Sequence, residues 1–267
     1  MQLEHVLDLI AKDKLLIEEM YDRQNEIVKI KKLEGSKLFF KQVGDYVKTG
    51  ALQSALEILQ AMIKRGSNES SLLNDYGGLL ARQTLEGEEM DKEKLLEARK
   101  YIFEAYEFDR KTTRDWYTFP AYKNLCYLRA AEANHYRKQK DTFAAFVLGF
   151  VSIEMTIYRL WHQYLRLKSA KKIEELMRWN LDSIIRVLCL GEVSEPPFAA
   201  DLDTLKQSAE QLTMLKATRD DLLHGKKSDP TGGEVDQCIR TALKLVPLFQ
   251  HVKRDAQSNS DRTSLEP

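Results

Sequence analysis

Apolar residues recur along this chain at the three-to-four-residue spacing of a helix almost from end to end. In the first segment Leu3, Val6, Leu7 and Ile10 share one face, so residues 1–34 read as one or two amphipathic helices stopped by Gly35. A helix over 36–48 follows and closes at Thr49-Gly50. The run ALQSALEILQAMIK predicts another over 51–64, closed by Arg65-Gly66. Helical patterns also cover 71–83, 92–108, 116–137 and 141–168, with an acidic loop over 85–91. In the second half, 171–190 is ended by Gly191, and Pro196-Pro197 breaks the pattern. A helix over 201–223 ends at His224-Gly225, where glycine suits a C-terminal cap. KKSDPTGG reads as a loop, and a last helix over 234–256 is bent or broken near Pro247. The closing SNSDRTSLEP is polar and predicts a disordered tail over 257–267. Strand and turn signals are scarce, so the expected fold class is all-α.

Composition narrows the chemistry. The 41 basic and 41 acidic residues cancel, which excludes a globally basic nucleic-acid binder and leaves room for a local patch. Cys126, Cys189 and Cys238 are odd in number and fit no CxxC spacing. They predict reduced thiols and a cytoplasmic location. The histidines are scattered and none pairs with a cysteine at zinc spacing, so neither metal nor cofactor is expected. MQLEHVLDLIAKDK lacks the apolar core of a secretory signal. The most apolar stretch, 143–161, contains Glu154 and Arg159, and its uncharged part is too short for a bilayer; no membrane partner is expected. No GxxxxGK[ST], GxGxxG or GxSxG occurs, which disfavours P-loop and α/β-hydrolase chemistry.

Between about 71 and 155 two similar units follow one another. SLLNDYGGLLARQ precedes LLEARKYIFEAYEFD, and PAYKNLCYLRAAEANHYRKQKD precedes TFAAFVLGFVSIE. Each pairs a helix of small and aromatic residues with a helix carrying alanine at the crossing. Tyr76, Gly77, Ala98 and Ala105 in the first unit, and Leu125, Tyr127, Asp141, Ala144 and Ala145 in the second, resemble tetratricopeptide helix pairs. The resemblance departs from that family in lacking a terminal proline and in the insertion at 85–91. It implies an N-terminal region over 1–141 that grips a protein partner.

One segment carries chemistry. In LKATRDDLLHG, Arg219 is followed by Asp220, and His224 stands five positions after Arg219, before Gly225. Leu212, Leu215 and Ala217 precede it, and FVSIEMTIYRLW places Glu154 in an apolar surround. Over about 142–252 these features resemble the HEPN family, whose hallmark is R-x-x-x-x-H at the end of the third core helix. The resemblance implies a helical bundle over 142–256 and a metal-independent endoribonuclease. Two copies would pair so that both motifs line one cleft on single-stranded RNA. Arg219 and His224 would be catalytic with Asp220 supporting, while Lys226, Lys227 and Glu154 would help to hold substrate. Antiviral defence and toxin–antitoxin pairs are settings in which that family serves. The chemistry is self-consistent: RNA supplies its own 2′-OH nucleophile, a histidine of near-neutral pKa moves the proton, and an arginine stabilises charge on the phosphate.

Geometry sets a condition on this reading. Residues five apart are about 140° out of phase on a helix. Arg219 and His224 therefore meet only if the last turn tightens or unwinds, or if the site is shared between two copies. The plainer alternative is a non-catalytic scaffold that binds RNA or protein, with His224 merely settling on a helix C-terminus. Other basic clusters, KIKK at 29–32, RKQK at 137–140 and RLKSAKK at 166–172, read as solvated helix ends. The aromatic group Trp116, Tyr117, Phe119, Tyr122, Tyr127 and Tyr136 reads as core rather than as a base-stacking surface.

Overall fold

The structure, a computed structural model, describes residues 1–86, 91–113, 120–165, 180–190 and 206–246. The expectations for 87–90, for the helix portion over 171–179, for the break at Pro196-Pro197, for the bend at Pro247 and for the tail lie outside these residues, as do Trp116, Tyr117, Phe119 and the RLKSAKK cluster. Among the described residues the protein is overwhelmingly helical, with ten helices and one two-stranded sheet.

The sheet corrects the sequence reading of 1–34. Only α1, Leu3–Lys12, is helical there; β1, Leu15–Tyr21, and β2, Ile27–Leu33, form an antiparallel hairpin with Leu15 opposite Leu33 and Tyr21 opposite Ile27. The physical reason is a period of two in β2, where Val28 and Ile30 are half-buried and Lys29 and Lys31 are exposed. The turn is built by Asp22, whose carboxylate accepts from the N–H of Gln24 (2.8 Å) and Glu26 (2.9 Å), and by Asn25 in the left-handed region at φ 61°. The outer edge of β2 is covered by the segment before α4: Lys31 N–H donates to Asn68 Oδ1 at 2.6 Å, and Asn68 N–H donates back to Lys31 O at 2.9 Å.

Five helices then follow the expected pattern: α2, Ser36–Lys48; α3, Leu52–Lys64; α4, Ser70–Glu86; α5, Lys92–Thr112; and α6, Pro120–Lys138. They build a first core with α1 and β2 around Ile10, Leu33, Ile58, Met62 and Leu79. α4 packs closely on α5, and Gly77 makes this possible. A Cβ there would stand 2.7 Å from Ile102 Cγ1 and 2.9 Å from Ala98 O.

The second core joins α6 to α7, Thr142–Leu165; α8, Leu181–Leu190; α9, Ala209–Leu223; and α10, Gly232–Leu245. α6 faces both cores, giving Tyr127 and Leu128 to the first and Ala130 and Ala133 to the second. α7 starts at Asp141, whose carboxylate accepts from Ala144 N–H at 2.9 Å. By length and composition α7 is apolar enough to cross a membrane, but more than half of it is buried within this fold, with Phe146, Ile153 and Trp161 in the core. Gly149 lets α10 approach, since a Cβ there would stand 3.0 Å from Cys238 Sγ. Cys126 and Cys238 are free and buried, and burial pushes both thiols up to about 12, so they serve as core.

Candidate functional site

α7 and α9 run beside one another and bring distant residues into one polar cluster. Arg219 Nη2 donates to Glu154 Oε1 at 2.8 Å, and its Nη1 donates to Asp220 Oδ1 at 2.8 Å. The guanidinium lies over the ring of Phe150, 5.5 Å from its centroid. Phe150 and Glu154 are one helical turn apart on α7, so one face of that helix supplies both a surface for the arginine and a counter-charge. Asp220 in turn accepts from Lys216 Nζ at 2.7 Å, and Lys216 also pairs with Asp182 Oδ2 on α8 at 3.1 Å.

Each ionisable group responds to these neighbours. Burial raises the Glu154 carboxyl above its ordinary value and outweighs the opposing pull of Arg219. Asp220 is held below its ordinary value, first by the hydrogen bond from Lys216 and then by that from Arg219. Lys216 is raised by its bonds to Asp220 and Asp182, and Arg219 chiefly by its bond to Asp220. The cluster thus fixes Arg219 as a permanent cation with a defined orientation.

Beside it lies an apolar groove of about 220 Å³ lined by Phe143, Val147, Phe150, Val151, Leu222 and Leu223, with Arg219 and Glu154 in its wall. Its rim is unusually exposed for such side chains: Phe143 is 47 % and Leu223 67 % accessible.

His224 stands elsewhere. The last turn of α9 stays α-helical, with His224 N–H donating to Asp220 O at 2.9 Å. Gly225 then adopts φ 67° and closes a Schellman cap, in which Lys226 N–H donates to Asp221 O (2.9 Å) and Gly225 N–H to Leu222 O (3.3 Å). The turn neither tightens nor unwinds, so the angular offset between Arg219 and His224 persists, and His224 is not among the groove-lining residues. The imidazole is exposed and makes no side-chain hydrogen bond among the described residues.

The two lysines after the motif differ. Lys226 is 71 % exposed and only loosely paired with Asp221 at 3.8 Å. Lys227 is drawn inward to Glu234, Nζ to Oε1 at 2.7 Å. Glu234 also accepts from Thr218 Oγ1 (3.0 Å), Thr231 Oγ1 (2.8 Å) and Thr231 N–H (2.7 Å), the last closing a capping box on α10. Burial alone would push the Glu234 carboxyl up, but these bonds, Lys227 foremost, hold it down at about 2. The loop after His224 is thereby pinned to the start of α10.

Among the sequence-expected residues, the fold brings Arg219, Asp220 and Glu154 together and sets His224, Lys226 and Lys227 apart from them. Sequence reasoning missed Lys216, Asp182, Phe150 and Glu234. The spacing of Lys216 and Asp220 was readable as an i,i+4 ion pair, whereas nothing local announces that Asp182 joins them. Among the described residues no three or more His, Cys, Asp or Glu side chains converge as metal ligands do. Compared with family models, with curated proteins and with solved structures, the chain matches none of them.

Proposed function

We propose that the protein is a metal-independent endoribonuclease of the HEPN type that cleaves single-stranded RNA at a site shared by two copies of the chain. The observation that carries this reading is the presence, at the end of one helix and on opposite sides of its last turn, of an oriented Arg219 and an exposed His224 whose imidazole makes no hydrogen bond among the described residues. Because the turn stays regular, one copy alone does not close the site. A twofold partner does: it sets a second α9 beside the first, so that two imidazoles and two guanidiniums border one cleft. The exposed rim of Phe143, Val147 and Leu223 supplies the apolar surface that such a partner covers.

In the reaction, one His224 takes the proton from the 2′-OH as that oxygen attacks phosphorus. The partner's His224 returns a proton to the departing 5′-oxygen, leaving a 2′,3′-cyclic phosphate. Arg219, oriented by Glu154 and Asp220, stabilises the charge that develops on the non-bridging oxygens. Lys226 is free to meet the flanking backbone, while Lys227 anchors the loop. The N-terminal helices hold a protein partner that governs this activity, in a setting such as antiviral defence or a toxin–antitoxin pair.

The test is incubation of purified protein with mixed single-stranded RNA in EDTA beside His224→Ala. Cyclic-phosphate ends that appear with the wild type and vanish in the variant support the reading. Equal cleavage by both points to contamination and ends it. A second reading, a binding scaffold without catalysis, is favoured by one feature: both terminal nitrogens of Arg219 already hold carboxylates. Retained RNA binding with no cleavage by either protein would select it.

A further inference from the structure

Neighbouring residues on a helix point about 100° apart, so their side chains do not ordinarily meet. Arg219 and Asp220 nevertheless share a 2.8 Å hydrogen bond. The second oxygen of Asp220, Oδ2, is taken by Lys216 Nζ at 2.7 Å from one turn earlier. Lys216 is only 20 % exposed and is held from the other side by Asp182, in the first turn of α8, at 3.1 Å. A single chain of charges, Asp182, Lys216, Asp220, Arg219 and Glu154, therefore crosses from α8 through α9 to α7.

The arrangement matters because of what Asp220 would do without it. A free carboxylate prefers to grip a guanidinium with both oxygens, in parallel hydrogen bonds. A phosphate binds arginine through the same fork. With Glu154 already on Nη2, a bidentate Asp220 would leave Arg219 enclosed by acids. Lys216 occupies Oδ2 and limits Asp220 to one bond, so the remaining N–H donors of Arg219 stay open to an incoming anion. It also offsets one of the two carboxylate charges that meet Arg219.

We propose that Lys216 is a positioning residue for the site, acting through Asp220 to keep Arg219 available to a phosphate rather than touching RNA itself. This rests on the nuclease reading only in taking a phosphodiester as the anion that Arg219 meets. Asp182 fixes the approach of Lys216, which makes α8 part of the site's support.

Three full-length variants test it: Lys216→Met, which keeps the stem and removes the charge; Lys216→Gln, a polar substitute should the first fold poorly; and Lys216→Arg, which restores the donor. With single-stranded RNA in EDTA, removing the charge should lower kcat by about 10- to 100-fold, the scale on which outer partners of functional groups act, and Lys216→Arg should recover most of the rate. In an Arg219→Met background, where nothing remains to be positioned, Lys216→Met should leave the salt dependence of RNA binding unchanged, because a residue that contacts phosphate would take about one unit from that slope. A direct contact by Lys216, seen as a lowered slope, overturns the proposal, as does an unchanged kcat in folded Met and Gln variants.

A second readout is independent of cleavage. Titration with inorganic phosphate, followed at the Arg219 side-chain N–H resonance, should give a response in the wild type and in Lys216→Arg that is several-fold weaker in Lys216→Met. That difference in a protein that cleaves no RNA would refute the nuclease reading and keep this one; identical titrations in all forms would refute this one whatever the cleavage result.

Discussion

Glu234 offers the most quantitative test of how the loop after the motif is held. Replacing it with Gln keeps the shape and some of the hydrogen bonding but removes the charge that holds Lys227. The carboxyl falls from 4.5 to about 2 in the folded protein. At about 1.4 kcal/mol per unit this corresponds to no more than about 3–4 kcal/mol at neutral pH. The side chain is 29 % exposed, so solvent screening trims the expectation to about 2 kcal/mol. The sign follows from the depressed value: the stabilisation is complete above the unfolded pKa near 4.5 and disappears as pH falls toward 2. Urea unfolding at pH 7, 5 and 3 therefore should show a gap of about 2 kcal/mol between wild type and Glu234→Gln at the two higher values and a smaller one at pH 3. A gap under about 0.5 kcal/mol at pH 7, or one that does not narrow on acidification, would refute the reasoning and with it the account of Glu234 as the loop's anchor.

Other substitutions probe the rest of the molecule. Gly77→Ala, with its Cβ driven against Ile102 and the carbonyl of Ala98, should cost about 1–3 kcal/mol, read from the denaturant midpoint. Asp109 is buried, accepts a 2.7 Å bond from Ser70 Oγ, and is raised by desolvation to about 6. The folded state thus binds its proton more tightly than the unfolded one, and stability rises as pH falls from about 6 toward 4; Asp109→Asn should flatten that slope in unfolding measured across the range. Leu223→Lys, at the exposed groove rim, should shift the protein to monomers in sedimentation and abolish cleavage while leaving its circular dichroism unchanged. Dimers of full activity in this variant would place the shared surface elsewhere.

The helical character of the chain was legible because long segments repeat at one period and because Gly50 and Gly66, both at positive φ, mark their ends. The hairpin at 15–33 was not, because Leu15, Leu16, Ile17 and Met20 also satisfy a helical spacing over so short a run, and only the pairing with β2 decides between them. Of the candidate site, Arg219, Asp220 and Glu154 stand out in the sequence as residues, but the contact of Arg219 with Glu154, sixty-five positions away, is set by the packing of α7 beside α9. The site's support was less legible. Lys216 and Asp220 share a spacing that sequence can show, but Asp182 reaches Lys216 only through the packing of α8 on its neighbours. Whether the helix end at His224 would unwind was likewise undecidable from residue types, since glycine suits either a frayed end or the Schellman cap that forms.

α6 sits between the two cores, and a buried serine of α7, Ser152, donates to its Cys126 carbonyl at 2.7 Å. A protein cut between α6 and α7 would therefore yield two fragments with raw, sticky faces rather than two independent pieces. The amino-terminal fragment would lack its neighbour along α6, and the carboxy-terminal one would bare the inner side of α7. Each would aggregate alone, and only mixing them would bring both back into solution as one folded whole.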